Sequence, residues 1–142
     1  MQPQAPLGAV NRAVTAPAVV AERCTVTGGR WYSYFDYIYV DGPRGLDIDH
    51  LVPLAEAWDS GAREWDPKRR EAYANDLGDS TSLIAVTTRS NCSKSEQDPA
   101  EWMPPSGSAA CRYTCEWTSV KTRWGLAVDQ AELEVLDAIV AD

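Results

Sequence analysis

At 142 residues, 44% of them apolar, and with a formal charge of −8, the chain can bury one ordinary core and is short for two. No run approaches the roughly 18 apolar residues of a membrane helix, because Pro3, Pro6, Asn11, Arg12 and Pro17 interrupt the Ala/Val-rich start. Net acidity argues against a broad grip on nucleic acid, yet five acids and no base fall between Asp129 and Asp142, so much of the excess sits at one end. Arg63, Lys68, Arg69, Arg70, Arg89 and Lys94 cluster in the middle, either as solvated charge or as a basic rim for a substrate that leaves after reaction.

Residues 1–20 show no periodic apolar face and are expected to form a flexible arm, with residues 21–142 as a single domain. After Gly28-Gly29, the aromatic and β-branched stretch up to Gly42-Pro43 predicts a strand, followed by a second near Leu46–His50. Pro53 opens a short helix that Gly61 stops, and Asp66-Pro67 reads as N-cap and first position of a helix ending by Gly78. SLIAVTT is the clearest strand, followed by a helix opening with Asn91. Ser108 is read as the cap of a helix in which Tyr113, Trp117, Val120 and Trp124 recur at helical spacing and form core. Asp129 and Glu132 make a capping box for a last helix with Leu133, Leu136 and Val140 facing inward. The fold class is α+β.

Cys24, Cys92, Cys111 and Cys115 permit two disulfides in an exported protein, with the pairing open. Cys111 and Cys115 sit four apart on one helix, a poor geometry for bridging each other. A four-cysteine zinc site is disfavoured, because C-x-x-C knuckles are missing.

His50 is the chain's one histidine, inside DIDHLVPLAEAW. Imidazole has an unperturbed pKa of about 6.5, which suits a general base, although a lone histidine is as readily a hydrogen-bonded core residue. Asp49 and Asn91 offer oxygen ligands only, which favours one hard cation, Mg²⁺ or Mn²⁺, over zinc. Asp47 shares a strand face with Asp49 and has either a supporting or a turn role.

The segment from Asp47 to Pro105, with DIDHLVPLAEAW, SGA, RREAYANDL, LIAV, N-x-x-K and DPAEWMPP in order, resembles the HNH or ββα-metal endonucleases. It is most similar to small bacterial and phage members carrying D-x-D-H-x-V-P-L-x-x-A-W. The resemblance implies an HNH core, a short antiparallel hairpin plus helix, surrounded by further helices. It implies that His50 is the general base, that Asp49 and Asn91 hold the metal, and that Lys94 and Arg89 contact substrate phosphate. The family's middle asparagine corresponds to Ser82 here, with Asn75 as an alternative support. The function so implied is divalent-metal-dependent hydrolysis of DNA phosphodiesters with low sequence specificity. The alternatives are a nuclease acting on RNA, or a non-catalytic DNA-binding or phage assembly module on the same scaffold. The expected partner is nucleic acid, with no membrane and no nucleotide cofactor, and the protein is expected to be a monomer. Secretion and a phage-encoded intracellular setting both remain open.

Overall fold

The computed structural model describes residues 14–20 and 22–141. Alternation and turn residues build two antiparallel sheets. In the first, β1 (Val14–Val20) pairs with β2 (Val26–Ser33), which pairs with β3 (Ile38–Asp41). In the second, β4 (Leu46–His50) pairs with β5 (Leu83–Thr87). The α-helices are α1 (Leu54–Asp59), α2 (Pro67–Ala74), α3 (Thr88–Lys94), α4 (Ala110–Trp124) and α5 (Gln130–Ala141). Two small antiparallel sheets and five helices make a mixed α+β fold, compatible with an HNH-like ββα core of β4, β5 and α3. Among the described residues, no helix is long and apolar enough to cross a membrane.

β5 is buried at every position, as its unbroken apolar run requires. Its end turns directly into α3, because the Thr87 hydroxyl accepts a hydrogen bond from Ser90 N at 3.1 Å and so caps the new helix. The Asp36 carboxylate fastens the β2–β3 turn to the same point, accepting from Ser33 Oγ at 2.8 Å, Thr87 Oγ1 at 2.7 Å and Ser90 Oγ. The core lies between this sheet and the helices: Phe35, Leu51, Val52, Tyr73, Ile84, Val86, Tyr113, Trp117 and Val120 form one buried cluster. Leu51 and Val52 are fully buried, so the residues directly after His50 anchor the end of β4.

Several expectations are corrected. The arm expected over residues 1–20 gives way from Val14 onward to β1, whose backbone pairs with β2 from Val14 opposite Trp31 to Val20 opposite Val26; residues 1–13 lie outside the described residues. The helix carrying Asn91 opens three residues earlier, at Thr88, because Thr87 supplies the cap. Helix α2 ends at Ala74, and Gly78 instead donates its N–H to Asp76 Oδ1 at 3.1 Å. Ser108 caps nothing: a 3-10 turn at Gly107–Ala109 precedes α4, and the Ser108 carbonyl accepts from Tyr37 Oη at 3.3 Å. The capping box at Asp129 and Glu132 forms with both reciprocal hydrogen bonds, but only Leu136 of the three apolar positions faces inward. Leu133 and Val140 are exposed, because burial of Glu132 against Trp117 and Lys121 sets the phase of α5. Cys92, Cys111 and Cys115 are exposed free thiols.

Candidate active site

Strand alternation sorts the DIDH run onto two faces. Asp47 and Asp49 point towards α3. The Asp47 carboxylate accepts from Asn91 Nδ2 at 2.9 Å and from Thr88 Oγ1 at 3.0 Å. Asp49 lies 2.9 Å from the Lys94 ammonium through Oδ2. Asn91 and Lys94 are three apart in α3, hence neighbours on one helical face, so that one face presents both groups to the two carboxylates.

His50 leaves β4 on the other side. Its ring stacks on Tyr73 with centroids 6.4 Å apart, and Nε2 lies 2.8 Å from the Ala74 carbonyl oxygen at the end of α2. A carbonyl oxygen can only accept, so Nε2 carries the proton. In the neutral ring Nδ1 is then the atom with the free lone pair. The backbone of His50 is held as well, since Lys94 Nζ donates to its carbonyl at 3.1 Å.

A second layer fixes the carbonyl that holds the ring. Ser82 accepts from Leu51 N at 3.0 Å through its backbone oxygen, and its hydroxyl donates to Asp76 Oδ2 at 2.7 Å. Asp76, two residues past Ala74, also accepts from Arg123 Nε and Nη2, both at 2.9 Å, and from Trp124 Nε1 at 3.0 Å. Burial alone pushes the Asp76 carboxyl up, but the hydrogen bonds from Arg123, Ser82, Trp124 and Gly78 outweigh it and hold the pKa at about 2. Ser82 therefore sits where the chain segments on either side of His50 are tied together. Asn75 does not join this brace; its Nδ2 donates to the Glu71 carbonyl at 3.0 Å and closes the end of α2.

The structure gives the sequence-derived basic residues different tasks. Lys94 is completely buried and paired, which removes it as an exposed hand for phosphate. Burial pushes its pKa down and that of Asp49 up, each opposed by the other's charge. Arg69 lies over the Trp65 and Trp124 rings at 4.4 and 5.1 Å, and Arg70 donates to the Ala62 and Trp65 carbonyls. Arg63 lies 3.6 Å from Glu64. Arg89 and Lys68 stay exposed. Half of the basic rim, Arg69, Arg70 and Lys94, is thus engaged in structure. Sequence reasoning missed Asp36, Asp76 and Arg123, because the contacts of Asp36 with Thr87 and Ser90 and of Asp76 with Arg123 and Trp124 join distant parts of the chain and leave no local pattern.

Two places could attract a divalent cation. At β4–α3 the donors are the Asp47 and Asp49 carboxylates and the Asn91 amide oxygen, all hard ligands. Asp49 Oδ2 is buried with the Lys94 ammonium 2.9 Å away as its partner. This donor set fits Mg²⁺ or Mn²⁺. The other place is Glu56, Asp98 and Glu132, whose oxygens lie within 4.8 Å of one another. There Lys121 Nζ already takes the cation's position, 3.0 Å from Glu56, 2.7 Å from Glu132, 3.0 Å from Ser60 Oγ and 2.7 Å from the Ala127 carbonyl.

A strand ending in Asp-His, paired with a second strand that runs into an Asn-bearing helix, gives an α+β domain compatible with an HNH-like ββα core. Residues 21–138 match the family described as GmrSD restriction endonucleases, C-terminal domain, and the chain belongs to that family. It is also similar to an "Uncharacterized secreted protein" of Arthroderma benhamiae, 40% identical over 117 residues. That match covers 82% of this chain but 57% of the relative, so the chain corresponds to little more than half of that protein's length. No solved structure matches.

Proposed function

We propose that the chain is an endonuclease of the HNH type that hydrolyses DNA phosphodiester bonds with low sequence specificity, His50 acting as general base. The observation that carries this is the clamp on the imidazole: with Nε2–H donated to the Ala74 carbonyl, Nδ1 is presented as the proton acceptor. A water positioned at Nδ1 loses its proton to the ring while its oxygen attacks phosphorus and the bond to the leaving oxygen breaks. Stacking on Tyr73 and the Lys94 bond to the His50 carbonyl keep the ring and its backbone from turning away. Asp49 and Asn91 would hold a single Mg²⁺ or Mn²⁺, with Asp47 orienting the Asn91 amide. Such an ion supplies charge neutralisation at the phosphate. Family membership among restriction endonucleases supports DNA as the substrate, and the exposed Arg89 on α3 is the base left free to meet a phosphate near Asn91.

The test is cleavage of supercoiled plasmid by the full chain with Mg²⁺ and with a chelator. His50→Ala should lose about 10²- to 10⁴-fold in rate, the usual contribution of a positioned base. Its thermal unfolding should stay close to wild type, since the ring is only half-buried. Near wild-type turnover in that variant removes His50 from the chemistry.

A further inference from the structure

The elements that orient His50 also wall a cavity on their far side. It has a volume of about 320 Å³ and is lined by Leu54, Ala57, Trp58, Ala62, Trp65, Arg70, Glu71, Tyr73 and Ala74. Its floor is apolar, and two large apolar side chains at its mouth, Leu54 and Trp58, stand 49% and 47% exposed. A half-exposed Trp and Leu together at the mouth of a concave apolar site are not accounted for by the core. The Arg70 guanidinium lies 5.3 Å from the centre of the Trp58 ring and is held there by its bonds to the Ala62 and Trp65 carbonyls. The cavity shares two lining residues with the candidate active site: Tyr73 stacks on the His50 ring, and the Ala74 carbonyl receives its Nε2–H.

We propose that this cavity receives an unstacked nucleobase of the strand being cut, next to the scissile phosphate, with the base lying on the Trp58 ring. A planar, weakly polar heterocycle suits an indole face flanked by a fixed guanidinium, and such stacking tolerates any of the bases. It accords with the engagement of Arg69, Arg70 and Lys94 in structure, because affinity near the site then draws on stacking as well as on phosphate contacts. The substrate class is narrowed accordingly: a base can enter only from single-stranded or locally opened DNA, or by leaving the duplex stack. The inference rests on the endonuclease reading of His50.

The experiment compares cleavage by wild type, Trp58→Ala and Trp58→Phe of the full chain on single-stranded and fully paired oligonucleotides of one sequence, and on copies carrying one abasic nucleotide beside the mapped cut site. Trp58 is half-exposed, so both variants should fold, which circular dichroism checks. Trp58→Ala should lose about tenfold in kcat/KM on the intact single strand, from the usual worth of one stacked base, while Trp58→Phe stays within about threefold. The deficit of Trp58→Ala should vanish when the neighbouring base is absent, and wild type should prefer the single strand. An equal deficit on intact and abasic strands, no deficit at all, or a preference for paired DNA overturns the inference and leaves the base assignment of His50 standing. A wild type that cuts no strand overturns both.

Discussion

Two buried lysines, each set among carboxylates, are held in opposite ways. Lys121 bridges α1, α4 and the start of α5 through Glu56, Ser60, the Ala127 carbonyl and Glu132, so its ammonium is fully surrounded. Glu132 is satisfied in turn by Trp117 Nε1 and by the capping box with Asp129. Lys94 has fewer partners, the His50 carbonyl at 3.1 Å and the Asp49 carboxylate at 2.9 Å. A lysine enclosed by four partners is a brace, whereas a carboxylate with a single ammonium partner retains more capacity to meet another ion. Counting acids alone does not separate the two.

The largest stability effect should come from breaking the saturated cluster. Lys121→Met strands the buried Glu132 and the partly buried Glu56 and should cost about 3–5 kcal/mol in urea unfolding at neutral pH. Lys94→Met should cost clearly less, because it strands one carboxylate that burial already pushes towards its protonated form. Equal losses in the two variants would erase the distinction between brace and site.

A smaller effect concerns the support behind His50. Asp76 titrates at about 2 in the fold against an ordinary carboxyl value near 3.9, so it adds stability that is present above the unfolded value and lost as pH falls through the folded one. The difference in unfolding free energy between wild type and Asp76→Asn should shrink by about 2 kcal/mol between pH 5 and pH 2. A pH-independent difference would place the Arg123 contact outside the stability of this region. Smallest of the set, Ser82→Ala removes one hydrogen bond to Asp76 and should cost about 1 kcal/mol. Its cleavage rate should also fall, because the brace beside Ala74 loosens; unchanged cleavage would mean that the Arg123 pair alone holds the loop.

What was legible in the sequence was local. The Asp66-Pro67 cap, the helix opened by Pro53, the apolar β5 run and the Asp129–Glu132 box are decided by residues within a few positions of one another, and all form. The DIDH run and Asn91 could be named as one constellation; across β4 and α3, Asp47 meets Asn91 and Asp49 meets Lys94. The fate of Lys94 was hidden. Its neighbours in sequence are polar, and only the packing of α3 on β4 buries it. The task of Ser82 was equally illegible, because it depends on Arg123 at the far end of α4 closing on Asp76. β1 escaped because Ala16, Pro17 and Ala18 interrupt its β-branched residues, and its pairing comes from the β2 backbone alongside.

The distinction between the two acidic places is tested most directly by Mn²⁺ titration of the full chain, followed calorimetrically, in wild type, Asn91→Ala and Asp98→Asn. One site should bind in wild type, weaken at least tenfold in Asn91→Ala and persist unchanged in Asp98→Asn, because Asp98 belongs to the cluster that Lys121 already fills. Binding that survives Asn91→Ala and disappears in Asp98→Asn would put the ion at Glu56, Asp98 and Glu132, and would contradict the assignment of the β4–α3 site.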